Sequence, residues 1–195
     1  NKLSPLFNRA IMAQYPPGST FKPVTAAIAL QEKIISENFA YKCNLSFSIP
    51  GYTLHCSHHH TSAKNVQDAI QHSCNPYFWQ IFKNNLDDNK YKSTEEAYNI
   101  WRNHRKHFGL GRKEGIDVLG EKTGNLPTSE YYNKIYRRGH WRAVTIISLA
   151  IGQGEIDITP LQLANFYAVV ANRGYYIQPH LIKKIQNKEN KVFLK

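Results

Sequence analysis

The chain has 195 residues, of which 42% are apolar, enough for one packed globular domain or a large piece of one and too many for a disordered or collagen-like chain. Twenty-five Lys and Arg against 14 Asp and Glu leave a net charge of +11, which favours anionic partners without choosing among them. The longest uncharged apolar run, Ala143 to Ile151, is less than half of the roughly 18–20 residues a spanning helix needs, which excludes a membrane span.

The chain opens Asn1-Lys2-Leu3, with no charged-then-apolar leader, so any targeting segment is expected upstream. Pro16-Pro17-Gly18 is a strong breaker, and the apolar spacing of Val24, Ala27, Ile28 and Ile35 predicts a helix starting near Ser19. Pro23 is tolerable in its first turn, where no intrahelical donor is needed. Cys43 to Ser62 mixes Gly, Pro and a dense His/Cys cluster and reads as an irregular excursion. Helical spacing resumes over Asn65 to His72. Asn75 reads as an N-cap and Pro76 as the first helical residue of the next helix, so that Ser73-Cys74-Asn75 is a connector.

Ser93 to Glu96 has capping-box spacing, and Ala97, Ile100, Trp101 and Phe108 form the apolar stripe of the helix it opens. Gly109 to Thr128 is punctuated by Gly and Pro and predicts a loop. Val144 to Ile151 predicts a buried strand, Thr159-Pro160 opens a helix that Gly174 ends, and Tyr175 to Ile185 predicts a strand broken at Pro179. The basic residues of 83–106, 137–142 and 183–195 are mixed with Asn and acids, as on a solvated surface.

Ser19 and Lys22 stand three apart at a predicted helix start, which puts them on one face within a turn. Backbone N–H groups at such a turn point toward the serine, so it can be a nucleophile beside part of an oxyanion hole. Lys22 can serve as its base if burial holds it neutral. Ser73 and Asn75, two apart in a tight connector, project to the same side; Ser73 can relay a proton and Asn75 can bond a substrate amide. Ser-x-x-Lys followed by Ser-x-Asn is the ordered pair of motifs that penicillin-recognising enzymes carry.

The runs YPPGSTFKPVTAAIAL, SCNPYFWQ, GLGRKEGIDVLGEKTGNLPT and SLAIGQGEIDITPLQLANFYAVVANRG together resemble the transpeptidase domain of class B penicillin-binding proteins, of the elongation type called penicillin-binding protein 2. The resemblance implies the α/β (α+β) fold of penicillin-recognising serine transpeptidases and β-lactamases, C-terminally truncated here: a sheet packed on helices beside a helical region holding Ser73. It implies that Ser19 is acylated, Lys22 is its base, and Ser73 with Asn75 form the second motif, with no cofactor required for catalysis. Gly152 and Gly154 resemble the family's close-approach turn.

Lys122-Thr123-Gly124 matches the family's third motif in composition, yet it precedes Gly152-Gln153-Gly154, whereas the family's motif follows that segment. It is read as a decoy. The third motif is expected beyond Lys195, making residues 1–195 a partial transpeptidase domain. The implied partners are peptidoglycan stem peptides, β-lactam antibiotics and a membrane glycan polymerase of cell elongation, at the periplasmic face of the inner membrane through an anchor outside this chain. No nucleic-acid partner is expected. The alternatives are a β-lactam-sensing domain that is acylated without transferring, and a zinc-supported nucleic-acid-binding module using the basic surface.

Cys43, Cys56, Cys74 and one imidazole make a complete tetrahedral zinc set, and an odd cysteine count then leaves no thiol over. His60 is the chosen imidazole, with His59 next and His58 also available. A structural zinc there would brace the back of the Ser73 connector. A Cys43–Cys56 disulfide or unpaired buried thiols are the alternatives.

Overall fold

The computed structural model describes Ser4, residues 6–186 and residues 192–194. It is a mixed helix and strand structure dominated by helices. Helix α1 (Arg9–Met12) leads to a 3-10 turn at Gly18–Phe21, which runs directly into α2 (Lys22–Gln31). Pro23 sits in the first turn of α2, as expected, but Ser19 lies in the tighter 3-10 turn ahead of it, and the helix stops four residues short of Ile35. Ile35 is nonetheless buried, packed through the chain reversal that follows α2.

The region read as irregular contains a hairpin. Strands β1 (Ser46–Ile49) and β2 (Tyr52–His55) pair antiparallel, Ser46 opposite His55 and Ile49 opposite Tyr52. Gly51, at φ +79°, makes the turn, a conformation open to glycine because it lacks Cβ. Phe47 is the buried residue of β1, tilted against Trp79 with ring centroids 5.9 Å apart. Alternation too short to register as a strand hid this hairpin in the sequence.

Asn65 caps α3 (Val66–Gln71), its Oδ1 accepting from the Asp68 N–H at 2.7 Å. The next helix, α4 (Asn75–Leu86), has Cys74 rather than Asn75 at its N-cap, with no side-chain cap bond. The expected capping by Asn75 fails because its side chain is engaged elsewhere, as described below. Ser93 caps α5 (Thr94–His107) by accepting from the Glu96 N–H, while the Glu96 carboxylate reaches back to the Lys92 N–H at 2.6 Å.

Ala97 and Trp101 of the α5 stripe are buried, and so is Arg105, which the stripe did not include. Its guanidinium lies 3.5 Å from the centroid of the Trp101 ring, and none of its three nitrogens has a hydrogen-bond partner among the described residues. Cation–π attraction takes the place of hydrogen bonds there.

Residues 109–128 form a loop, and α6 (Ser129–Tyr136) follows. The strand expected at Val144 to Ile151 is instead a 3-10 segment, Ala143–Ile151, kinked at Ile146 and ended by Gly152 at φ +69°. A short, uniformly apolar run is ambiguous between buried strand and buried helix, and packing against α4 decided it. Helix α7 (Pro160–Ala171) opens as expected, with a reciprocal capping box between Thr159 and Gln162.

Residues 175–184 form no strand, and only Ile185 of the expected stretch enters one. They are held as irregular chain by Tyr176 donating to Glu114 Oε2 at 2.6 Å, Gln178 to the Gly115 carbonyl, and the Leu181 and Ile182 N–H groups donating to Asp117. Strands β3 (Ile185–Gln186) and β4 (Val192–Leu194) pair antiparallel. Among the described residues the sheets are two short hairpins, the first packed on α4 through Phe47 and Trp79. Of the basic run 183–195, Lys188, Lys191 and Lys195 lie outside the described residues. No described helix is long and apolar enough to cross a membrane.

The core joins α2, α4, α5 and the 143–151 segment: Phe21, Val24, Ile28, Phe78, Ile81, Phe82, Trp101, Leu149 and Phe166 are all within 1% of complete burial. Its consequence is positional. The start of α2 and the start of α4 are packed side by side.

Candidate active site

Ser19 is exposed at the surface, whereas Lys22, one turn on, is 1% exposed. Three contacts fix the turn that carries Ser19. The Gly18 N–H donates to the Gly152 carbonyl at 2.8 Å, Tyr15 and Ile158 exchange backbone hydrogen bonds, and Tyr167 of α7 donates to the Thr20 carbonyl at 3.0 Å. At Gly152 an added Cβ would stand 2.5 Å from the Gly18 carbonyl oxygen and 2.5 Å from Phe21 Cβ. At Gly154 it would stand 2.6 Å from Ser148 Oγ. The expected close approach is thus a backbone contact between Gly152 and the Ser19 turn, while Gly154 closes on the Ser148 side chain.

The four residues singled out as chemical converge. Lys22 Nζ lies 3.1 Å from Ser19 Oγ, 2.7 Å from Ser73 Oγ, 2.6 Å from Asn75 Oδ1 and 2.5 Å from the Ser73 carbonyl oxygen. The Ser73 backbone, at φ +49°, turns both its hydroxyl and its carbonyl onto the lysine. Burial, opposed by the nearby Cys56 and Cys74, lowers the Lys22 pKa to about 8.

The acceptor inventory gives this arrangement a direction. A carbonyl and an amide oxygen can only accept, so Ser73 O and Asn75 Oδ1 take the two hydrogens of a neutral amine. The lone pair then faces the two hydroxyls. A neutral Lys22 is aimed as a base at Ser19 and Ser73, which is what nucleophile activation and proton relay need. Ser19 also sits in a helical first turn, where backbone N–H groups lack intrahelical partners and can meet a developing oxyanion.

Lys122 is elsewhere. It is exposed, its N–H donates to the Ile11 carbonyl at 2.9 Å, and no hydrogen bond joins it to Ser19 or Ser73 among the described residues. Gly124 holds that loop against α7's start, where an added Cβ would meet the Asp157 carbonyl at 2.5 Å.

Behind the connector, Cys43, Cys56, His60 and Cys74 bring their ligand atoms within 4.8 Å of one another. The hairpin makes this possible: Cys43 precedes β1, Cys56 follows β2, and the Cys56 N–H closes the open end on the Leu45 carbonyl at 2.8 Å. His60 contributes Nε2, 3.2 Å from Cys56 Sγ, while its Nδ1 lies 2.7 Å from the Thr61 carbonyl. A carbonyl accepts only, so the proton is on Nδ1 and the Nε2 lone pair points into the thiol group, the second-shell arrangement common to metal-bound histidine. Neither His58 nor His59 belongs to this set. All three cysteines are free, with no Cys43–Cys56 disulfide.

A tetrahedral zinc with bonds of about 2.3 Å to sulfur and about 2.0 Å to nitrogen holds its donors roughly 3.5–3.8 Å apart, so this set fits the ion in chemistry and in size. Cys74, its fourth member, stands between Ser73 and Asn75 in the chain and is fully buried.

His58 and His72 were not singled out from the sequence as separate contributors. The His run was visible, but which ring meets which partner depends on the hairpin.

A fold pairing a Ser-x-x-Lys turn, its lysine buried, with a Ser-x-Asn connector defines the class of penicillin-recognising serine domains, and the comparisons agree. The sequence profile of the penicillin binding protein transpeptidase domain matches residues 1–194, so the chain belongs to that family. It is 34% identical to the peptidoglycan D,D-transpeptidase MrdA of Acinetobacter baumannii over 186 residues, covering 92% of this chain and 25% of that protein. It superposes on Pseudomonas aeruginosa PBP2, solved with WCK 5153, with a TM-score of 0.79 and 28% identity, covering 94% of this chain and 40% of the other. Helicobacter pylori PBP2, solved in complex with MreC, matches with a TM-score of 0.79 and 25% identity over 98% of this chain and 33% of the other. These relatives are of the penicillin-binding protein 2 type. The chain spans about a quarter of the length of the curated relatives it matches.

Proposed function

We propose that the protein carrying this chain is a peptidoglycan D,D-transpeptidase of the cell-elongation type. The observation that supports this most is the single amine of Lys22 bridging Ser19, Ser73 and Asn75. In this reading Ser19 Oγ adds to the carbonyl carbon of the penultimate D-Ala in a donor stem peptide, and its proton passes to neutral Lys22. The D-Ala–D-Ala C–N bond breaks, and the departing amine takes a proton through Ser73. The acyl group stays on Ser19 as an ester until an amine of a neighbouring strand attacks it, forming the new amide and returning the hydroxyl. A β-lactam follows the first half only: its ring C–N bond opens and the acyl ester remains.

Residues 1–195 act in this reading as part of the transpeptidase domain, with the third motif supplied from chain beyond Lys195 and Lys122 taking no part. The protein is placed at the periplasmic face of the inner membrane, anchored outside this chain and working with a membrane glycan polymerase. Catalysis needs no cofactor. A zinc ion held by Cys43, Cys56, His60 and Cys74 is structural, and it ties the hairpin to the N-terminus of α4 directly behind Ser73.

Mass spectrometry of the complete protein after penicillin treatment tests the assignment. The adduct is expected on the peptide containing Ser19 and is expected to vanish in Ser19→Ala; an adduct elsewhere, or one that survives the substitution, defeats it. Turnover of a peptide donor with an amine acceptor separates a transpeptidase from a β-lactam sensor, which would be acylated by the drug and transfer nothing.

A further inference from the structure

Ser73 is a non-glycine residue at φ +49°, in the left-handed region. Such a conformation costs free energy and persists only where the surroundings over-determine it. The torsion φ turns about the bond from its nitrogen, so it is set by the plane of the His72–Ser73 peptide. That plane is held at both ends. The Ser73 N–H donates to the Ile70 carbonyl at 3.0 Å, and the His72 carbonyl lies 2.8 Å from His58 Nε2. A carbonyl only accepts, so His58 carries its proton on Nε2, and its Nδ1, 3.0 Å from Ser57 Oγ, accepts from that hydroxyl.

The hairpin excursion supplies the rest of the clamp. The His72 ring is stacked on His60, centroids 5.7 Å apart and planes 9° from parallel, and its Nε2 lies 3.1 Å from Thr61 Oγ1. His59, between these residues, makes no such contact among the described residues.

We propose that His58 is a positioning residue for the reaction at Ser19: it acts through the His72 carbonyl, fixing the peptide plane that turns the Ser73 hydroxyl and carbonyl onto Lys22. The proposal rests on the Ser19–Lys22–Ser73 reading above. His58 touches none of the reacting groups. Its role is to hold Ser73 where the proton relay needs it, because small misplacements of a relay group cost rate steeply.

The test uses the complete protein and four forms: wild type, His58→Ala, His58→Gln and His59→Ala. Glutamine is chosen because its Nε2 takes the place of the histidine Nε2 and can donate to the same carbonyl. Acylation by a fluorescent penicillin is followed over a range of drug concentrations, separating initial binding from the first-order acylation step. His58→Ala is expected to slow the acylation step about tenfold while leaving initial binding within about twofold. His58→Gln is expected to recover most of the rate, and His59→Ala to remain within about twofold of wild type. Bound zinc and melting temperature are measured on every form and are expected to agree.

Three results would overturn the proposal: His58→Ala acylating at the wild-type rate, His58→Gln as slow as His58→Ala, or a rate loss matched by loss of metal or of folded protein. If wild type itself forms no Ser19 adduct, the underlying reading falls and takes this proposal with it. A normal wild-type adduct with an unaffected His58→Ala removes this proposal alone.

Discussion

Lys22 is asked to be a base while standing among four oxygens, and burial is what reconciles the two. Its pKa of about 8 leaves a minority of neutral amine near neutrality and a majority above that value. Acylation that depends on the neutral form is therefore expected to rise about tenfold per unit between roughly pH 6 and pH 7.5 and to level off above about 8. A stopped-flow or fluorescent-penicillin profile of the complete protein checks this, and a flat profile across that range would remove Lys22 from the role of base. Gly152 makes a second prediction at the same scale. Its φ of +69° and the 2.5 Å approach to the Gly18 carbonyl leave no room for a methyl group, so Gly152→Ala must push the Ser19 turn aside. Loss of acylation on the order of a hundred-fold is expected. Gly139→Ala, at φ +77° with nothing within 4 Å, carries the backbone strain without the displacement and is expected to acylate normally.

Among the elements, α2 begins at Lys22, directly after the 3-10 turn that carries Ser19, and is anchored at its end. Glu32, its C-cap, receives Tyr91 at 2.6 Å, Lys90 at 2.9 Å and His104 at 2.5 Å. Burial raises the Glu32 pKa, but the three hydrogen bonds outweigh it and hold the carboxyl down at about 2. The sign follows directly. A carboxyl with a folded pKa below its ordinary 4.5 contributes stability that is complete above that value and lost as the pH falls toward about 2. Glu32→Gln is expected to cost about 1–3 kcal/mol at neutral pH and to flatten the acid side of the stability curve. Urea unfolding at about pH 7 and about pH 3 measures both, and an unchanged acid limb would show that the network contributes nothing there.

Helices with a strong beginning were the most legible elements. Ser93 and Thr159 each cap the helix they were read to open. The failures are equally particular. Asn75 lost its capping role to Lys22, the 143–151 run is a 3-10 segment because neighbours on all sides chose its shape, and Arg105 escaped notice because a charged residue at a core position is invisible without its aromatic partners.

For the whole molecule, the thiol cluster joins the two ends of the hairpin to the N-terminus of α4. If zinc closes it, a strong chelator is expected to lower the melting temperature and stoichiometric zinc to restore it, with stabilisation of about 4 kcal/mol when free metal exceeds its Kd about a thousand-fold. Cys43→Ser is expected to remove both the chelator response and the bound metal. Metal analysis and thermal unfolding decide it: no zinc in unchelated protein, or a melting temperature indifferent to chelator, would show that the three thiols pack without an ion.

The sequence by itself determined the chemical identities. Ser19 with Lys22 and Ser73 with Asn75 could be paired from residue type and spacing, because local geometry places residues three apart in a turn, or two apart in a connector, on one side; Cys43, Cys56, Cys74 and His60 could be grouped by residue type alone. Only the tertiary structure decided how these groups meet. Lys22 and Ser73 are 51 positions apart, and no local rule would bring an amine within 2.7 Å of a hydroxyl at that separation. That closeness comes from α2 and α4 sharing a core. The histidine side chain that reaches the His72 carbonyl and the glycine at 152 that admits the Ser19 turn likewise meet their partners across the fold, contacts that leave no periodicity in sequence.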